Sequence, residues 1–209
     1  MKLLAFSFFT VLFSINLSAQ IPCENGMAGE YPCNGYDLQS FISLEEMDGI
    51  RGNDSWGWTD PDDGNEYAIM GLKNGTAFID ISDPINPVYL GKLPSHTGES
   101  IWRDIKVYQS HAFIVSEASN HGMQVFDLTR LRDVSSPPEN FTEDAHYDGF
   151  GASHNIAINE ETGFAYSLGD NTYAGGAHFI DISDPLNPTA AGGYSADGYT
   201  HDAHIKNYN

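Results

Sequence analysis

A ten-residue segment occurs twice in this chain. FIDISDPINP runs from Phe78 to Pro87 and FIDISDPLNP from Phe179 to Pro188, identical at nine of ten positions. A weaker third copy lies between them, because GMQVFDLTRLRDV (Gly122–Val134) has the pattern of GTAFIDISDPINPV. Aligning Asp80, Asp127 and Asp181 gives spacings of 47 and 54 residues, a range that marks repeated supersecondary units. The segments ahead of each copy also align. EYAIM (66–70), HAFIV (111–115) and FAYSL (164–168) are β-branched or aromatic and bounded by turn residues, so they read as strands. One step earlier lie WGWT (56–59), RDIKV (103–107) and HNIAI (154–158), with a fourth version, HDAHI (201–205), near the end of the chain. VYLGKL (88–93) and TAAGGY (189–194) supply a last strand after the FIDISDP segments.

Each unit is therefore four short antiparallel strands in roughly 50 residues, and no 3.6-residue periodicity supports a helix. The pattern predicts an all-β chain, a β-propeller of four-stranded blades. A two-sheet sandwich uses similar strands but needs no recurring unit, and ranks below it. Proline ends the third strand by giving up a donor, and Asp83 and Asn86 are placed to hold the turn. Three blades are complete, at about 56–93, 101–141 and 153–194, and a fourth begins at 201. Such a ring is incomplete, so the residues are expected to be the N-terminal part of a longer protein. YDLQSFISL (36–44) reads as an outermost strand without a blade of its own.

The first 19 residues, with Lys2, an apolar run from Leu3 to Phe13 and Leu17-Ser18-Ala19 before Gln20, have the layout of a secretory signal peptide. The run is short for a membrane span, which needs about 20 residues, and no transmembrane helix is expected in the mature chain. An N-terminal segment over 20–52 then precedes the partial propeller at 53–209. Cys23 and Cys33 are the only cysteines; in an exported chain two so close are expected to pair. With 29 acidic against 9 basic residues and a formal net charge of −20, the surface repels phosphate backbones, which excludes nucleic acid as a partner.

Six segments together carry a resemblance: NDSWGWTD (53–60), NGTAFIDISDP (74–84), SIWRDIKVY (100–108), HGMQVFDLTRLRDV (121–134), FTEDAHYDGFGASHNIAINEETGFAY (141–166) and DGYTHDAHIKNYN (197–209). In these the chain resembles the choice-of-anchor B proteins, which are related to LVIVD-repeat propellers. The resemblance implies an exported bacterial propeller whose members carry different C-terminal anchoring signals; anchoring here would lie in a missing C-terminal region. It implies no particular reaction.

The candidate site is the propeller axis. The aligned first-strand pairs are Trp56-Gly57, Arg103-Asp104, His154-Asn155 and His201-Asp202. Polar groups recur where a packed core wants Val or Ile, and His146 and Asp148 could approach the same mouth. Imidazole and carboxylate suit a first-row metal such as Zn²⁺, with His154, His201 and Asp202 as ligands, and Arg103 suits an anionic group. The competing reading is a hydrogen-bonded network tying blades together. His201 and His204 lie three apart on an expected strand and point to opposite faces, so they do not chelate as a pair. DPDDGNE (60–66) has the acid spacing of a calcium loop but aligns with strand-joining hairpins, so a hairpin tip is expected there, with weak calcium binding on this acidic surface as the alternative. No nucleophile motif is present. The leading expectation is a secreted or cell-surface propeller that binds an extracellular protein or glycan. A metal-dependent hydrolase or lyase with His154, His201 and Asp104 or Asp202 at the axis is the second, and a structural spacer in a larger anchored protein the third.

Overall fold

The computed structural model describes residues 20–207, so the expected signal peptide lies outside the described residues. The chain divides into two compact units, one ending at Ser40 and one from Phe41 onward. The N-terminal segment expected over 20–52 therefore divides at residue 40.

The first unit is a small hairpin of β1 (Met27–Ala28) and β2 (Tyr31–Pro32). Cys23 and Cys33 are disulfide-bonded across it, with Cα atoms 5.9 Å apart. The bond fits an oxidising compartment. Asp37 accepts from the Cys23 backbone N–H at 2.8 Å, and Ile21 bridges Leu38. That bridge is the only β pairing within the predicted outer strand at 36–44. In the second unit, Ser43 and Glu46 instead form a reciprocal cap: the Ser43 N–H donates to the Glu46 carboxylate and the Glu46 N–H to Ser43 Oγ. Such a cap begins a helical turn, which ends the extended path.

The second unit is all β, built on three sheets, none of which closes on itself. The first sheet takes β3 (Gly52–Thr59), β4 (Glu66–Leu72), β5 (Gly75–Asp80) and β6 (Val88–Pro94) in chain order. The second takes β7 (Arg103–Tyr108), β8 (His111–Ser116) and β9 (Met123–Asp127). A short 3-10 helix over Leu128–Asp133 follows. Next, β10 (Glu139–Asn140) joins the first sheet, parallel to β6, before β11 (Ala145–Tyr147) completes the second sheet against β9. The second repeat thus runs past the expected limit at 141 and lends two residues to the first sheet. The third sheet takes β12 (Asn155–Asn159), β13 (Phe164–Leu168), β14 (Ala177–Asp181) and β15 (Thr189–Tyr194). No regular strand forms over the described part of HDAHI at 201–205. Among the described residues no helix is long and apolar enough to cross a membrane.

The repeated sequence builds repeated structure. Asp80, Asp127 and Asp181 each end the third strand, opposite Tyr67, His111 and Phe164 at the start of the second. Each carboxylate accepts from the backbone N–H two residues on, at 2.9 Å. In the two strong copies Asp83 and Asp184 hold Asn86 and Asn187 through side-chain bonds of 2.9 Å each, so the turns at the two Asp-Pro steps are the same Asx-type turn. A β-bulge follows in both, between Phe78 and Ile79 and between Phe179 and Ile180. Gly91 and Gly192, paired with Phe78 and Phe179 beside the extra residues Leu90 and Ala191, have φ 148° and 109°, where a side chain is disfavoured.

Strand alternation places the core. One face of the second sheet turns Ile105, Ala112, Ile114 and Phe126 towards Ile69, Phe78 and Leu93 of the first. The other turns Phe113, Val115, Met123 and Val125 towards Ile156, Ala165 and Ile180 of the third. The far face of the first sheet is covered by Ile42 and Met47. The far face of the third leaves Tyr166 and Phe179, with ring centroids 5.5 Å apart, partly exposed. Phe78 is fully buried, stacks on Phe126 at 4.5 Å and meets Phe141 edge-on at 5.6 Å. Phe78→Ala is expected to lower unfolding free energy by about 3–5 kcal/mol. Urea melts of the two proteins, with unchanged m, check this.

Candidate functional site

The first strands β3, β7 and β12 lie side by side, with Arg103, Asp104 and Asn155 of the residues expected at the axis on them. Asp54 Oδ2 accepts from the Ile105 N–H at 2.9 Å, and Asp104 Oδ2 accepts from the Ile156 N–H at 2.7 Å. The amide of Asn53 donates to the Arg103 carbonyl at 2.9 Å, and that of Asn155 to the His201 carbonyl at 2.6 Å. Asp54 and Asp104, at equivalent positions in successive sheets, thus grip the next strand's backbone. This corrects the alignment of the first sheet: Asn53-Asp54, not Trp56-Gly57, matches Arg103-Asp104 and His154-Asn155. A register shift between Gly52 and Ser55 displaces the pairing there. The shared signal is the dipeptide series Asn-Asp, Arg-Asp, His-Asn, His-Asp. Trp56 instead lies under the Lys106 ammonium, 4.5 Å from the ring centroid, while Lys106 Nζ donates to Asp104 Oδ1 at 2.6 Å. Asp54, Trp56, Asp104, Lys106 and Asp202 line a cleft of about 590 Å³.

Arg103 lines a cavity of about 380 Å³ with Asp104, His154, Asn155 and His201, but its guanidinium is spent on neighbouring protein groups. Its side chain is 2% exposed. Nε donates to the Leu72 carbonyl at 3.1 Å, one terminal nitrogen to Ser95 Oγ at 2.9 Å, and the other meets His121 Nε2 at 3.0 Å. Desolvation pulls the guanidinium down to about 10 and, with the Arg103 charge beside it, His121 down to about 4. His121 is therefore neutral at pH 7: Nδ1–H donates to the Gly122 carbonyl at 3.0 Å, leaving Nε2 to accept from Arg103. Arg103 staples the first sheet to the second.

His154 and His201 do come together. Their Nε2 atoms are 2.9 Å apart, and the His154 Nδ1 lies 2.6 Å from Glu117 Oε1. The exposed Trp102 ring lies 5.9 Å from His154. Asp202 is not gathered with the two imidazoles; its Oδ1 accepts from the N–H of Ala203 at 2.8 Å. His146 does not reach this mouth either, since its Nε2–H donates to the His121 carbonyl at 2.7 Å; Asp148 is exposed elsewhere on the same loop. Asp60 of the candidate calcium loop is buried and bridged by Arg132, at 2.5 and 2.6 Å. That ion pair makes the segment a hairpin tip pinned to the 3-10 helix.

One group that sequence reasoning missed is a cluster of His96, Glu143 and His146, whose candidate ligand atoms all lie within 4.8 Å of one another. Its members come from two loops and from β11, with no common spacing, so the repeat gave no signal for it. No protein-family model matches the chain, and no curated protein sequence does.

Two titrations here oppose each other. Asp54 is pushed up to about 6, first by desolvation and then by the Asp104 charge. A carboxylate raised in the fold gives stability that is complete below its unfolded value, near 4, and lost as pH rises through 6. A histidine depressed in the fold, as His121 is, gives stability present above about 6.5 and lost as pH falls towards 4. Asp54→Asn is expected to gain about 1–2 kcal/mol over wild type at pH 7 and to lose that advantage by pH 4. Denaturant melts at pH 4, 5, 6 and 7 check both sign and window; a difference that does not vary with pH contradicts it.

Proposed function

We propose that the chain is the propeller portion of an exported, surface-displayed binding module of the choice-of-anchor B type, and that its recognition edge is where Trp102, His154 and His201 gather. One observation carries this reading: three sheets share one strand order and lay their first strands side by side, as blades do around an axis. A rigid scaffold of that kind holds loops in fixed geometry, where recognition usually sits. Trp102 is 49% exposed beside ionisable groups, which suits stacking on an apolar sugar or side-chain face while the imidazoles hydrogen-bond polar groups. The partly exposed Tyr166–Phe179 face of the third sheet is the surface that a further blade would cover.

Trp102→Ala is expected to weaken binding of the full-length protein to an extracellular glycan or protein at least tenfold, with an unchanged melting temperature. A glycan array and a panel of purified extracellular proteins give the readout. Binding that ignores Trp102, or a hydrolase activity with no binding, overturns the reading.

The 2.9 Å contact between two Nε2 atoms, with a carboxylate on the far side of His154, favours a second reading, a metal-dependent hydrolase or lyase. A carboxylate behind a ligating histidine fixes its tautomer, and a bound metal supplies an activated water. Elemental analysis of wild type against a His154→Ala, His201→Ala double variant separates the two readings. Metal content that is nil or unchanged removes this one.

A further inference from the structure

We infer that His96, Glu143 and His146 form a binding site for one divalent transition-metal ion of the zinc type, apart from the His154–His201 pair. His96 follows β6 of the first sheet, while Glu143 precedes β11 and His146 lies within it, so the ion would clip two sheets together. Two imidazoles and one carboxylate are a zinc donor set that leaves a fourth position open.

The surroundings prepare each donor. The His146 Nε2–H is committed to the His121 carbonyl at 2.7 Å, which leaves the Nδ1 lone pair outward. Such a carbonyl partner is what orients a ligating histidine. Glu143 Oε2 accepts from the Gln124 amide at 2.7 Å, and that amide also donates to the Pro94 carbonyl at 3.0 Å. Oε1 lies 2.8 Å from His96 Nδ1. Among the described residues no lysine or arginine pairs with Glu143, so its charge is held by neutral donors and stays available to a cation. The buried Arg103 spends its donors on Leu72, Ser95 and His121, and the His121 ring meets His96 edge-on at 6.4 Å. The carboxylate is about one-quarter exposed, so desolvation is partial and an ion can enter from solvent.

The His96 and His146 rings are stacked at 3.7 Å and only 11° from parallel. In-plane lone pairs of parallel rings do not meet at one point. The more exposed His96 must therefore turn about its Cβ–Cγ bond to bind, shifting its proton to Nε2 as Nδ1 takes the metal. Binding thus replaces the His96–Glu143 hydrogen bond by two metal bonds and requires no backbone rearrangement.

Isothermal titration of Zn²⁺ into the metal-stripped full chain tests this, with Co²⁺ absorption reporting the ligand set. One ion per chain is expected, weakened at least tenfold by His96→Ala with His146→Ala and by Glu143→Gln, and retained by His154→Ala with His201→Ala. Glu143→Gln keeps an acceptor for Gln124, so a loss there reads the metal rather than the fold. No binding to wild type, binding indifferent to the first two changes, or binding lost only with His154 and His201 overturns the assignment; the last outcome instead supports a metal at the axis.

Discussion

In the larger unit, polar side chains of the first two sheets reach across and fasten the backbone of the next first strand, and one from the third sheet reaches the chain beyond it. Asp54 does it for Ile105 and Asp104 for Ile156, while Asn155 reaches the carbonyl of His201. A strand on the inner edge of a sheet has unpaired backbone groups, and water reaches them poorly once sheets crowd together. An unmade bond there costs about 1–3 kcal/mol. A carboxylate can accept what a neighbouring strand, set at an angle, cannot. The recurring polar dipeptide is thus required by the packing, and the apolar residues that follow it, Ile105 and Ile156, can be buried only because their N–H groups are satisfied. Asp54 bears the consequence: crowding with Asp104 raises its pKa, and Lys106 offsets part of that repulsion.

The same economy of charge governs the junction of the first two sheets. Arg103 is buried without a carboxylate partner, yet a carbonyl, a hydroxyl and a neutral imidazole take its donors. Burial first, and then the positive field of this unneutralised cation, hold His121 far below its ordinary range. A deprotonated His121 then presents its own carbonyl to His146 and packs edge-on to His96. The histidines at this edge form a graded series, from one that is fully buried and kept neutral to ones in contact with solvent.

Much of this was legible in the sequence where a repeated motif has a local physical job. The two FIDISDP copies form identical Asx turns and bulges because Asp, Pro and Asn dictate them within four residues. Where a job is done by partners far apart, the sequence fell silent. The second repeat lacks the Asp-Pro turn and has Leu128–Asp133 in its place, so its last strand comes later than spacing alone placed it, at Ala145–Tyr147. The register shift near Gly52 hid Asn53-Asp54 behind the more conspicuous Trp56. Arg103 and Asp104, adjacent and read as one polar pair, point to opposite faces of their strand, one to a sheet junction and one to the cleft. Alternation along a strand predicts that divergence, and it separates the staple from the candidate ligands.

That divergence also bears on how a site can evolve on such a scaffold. Positions that fasten neighbouring strands, such as Asp54 and Asp104, are constrained by the backbone N–H groups of Ile105 and Ile156 that they accept from. Positions at the loop edge, such as Trp102 and Glu117, make contacts only with side chains or with solvent at their tips. The first kind fixes where the second kind stands. Recognition can therefore change at the edge without loosening the sheets. A metal bound at His96, Glu143 and His146 would join the two roles, since side chains free to bind a ligand would also tie two sheets together.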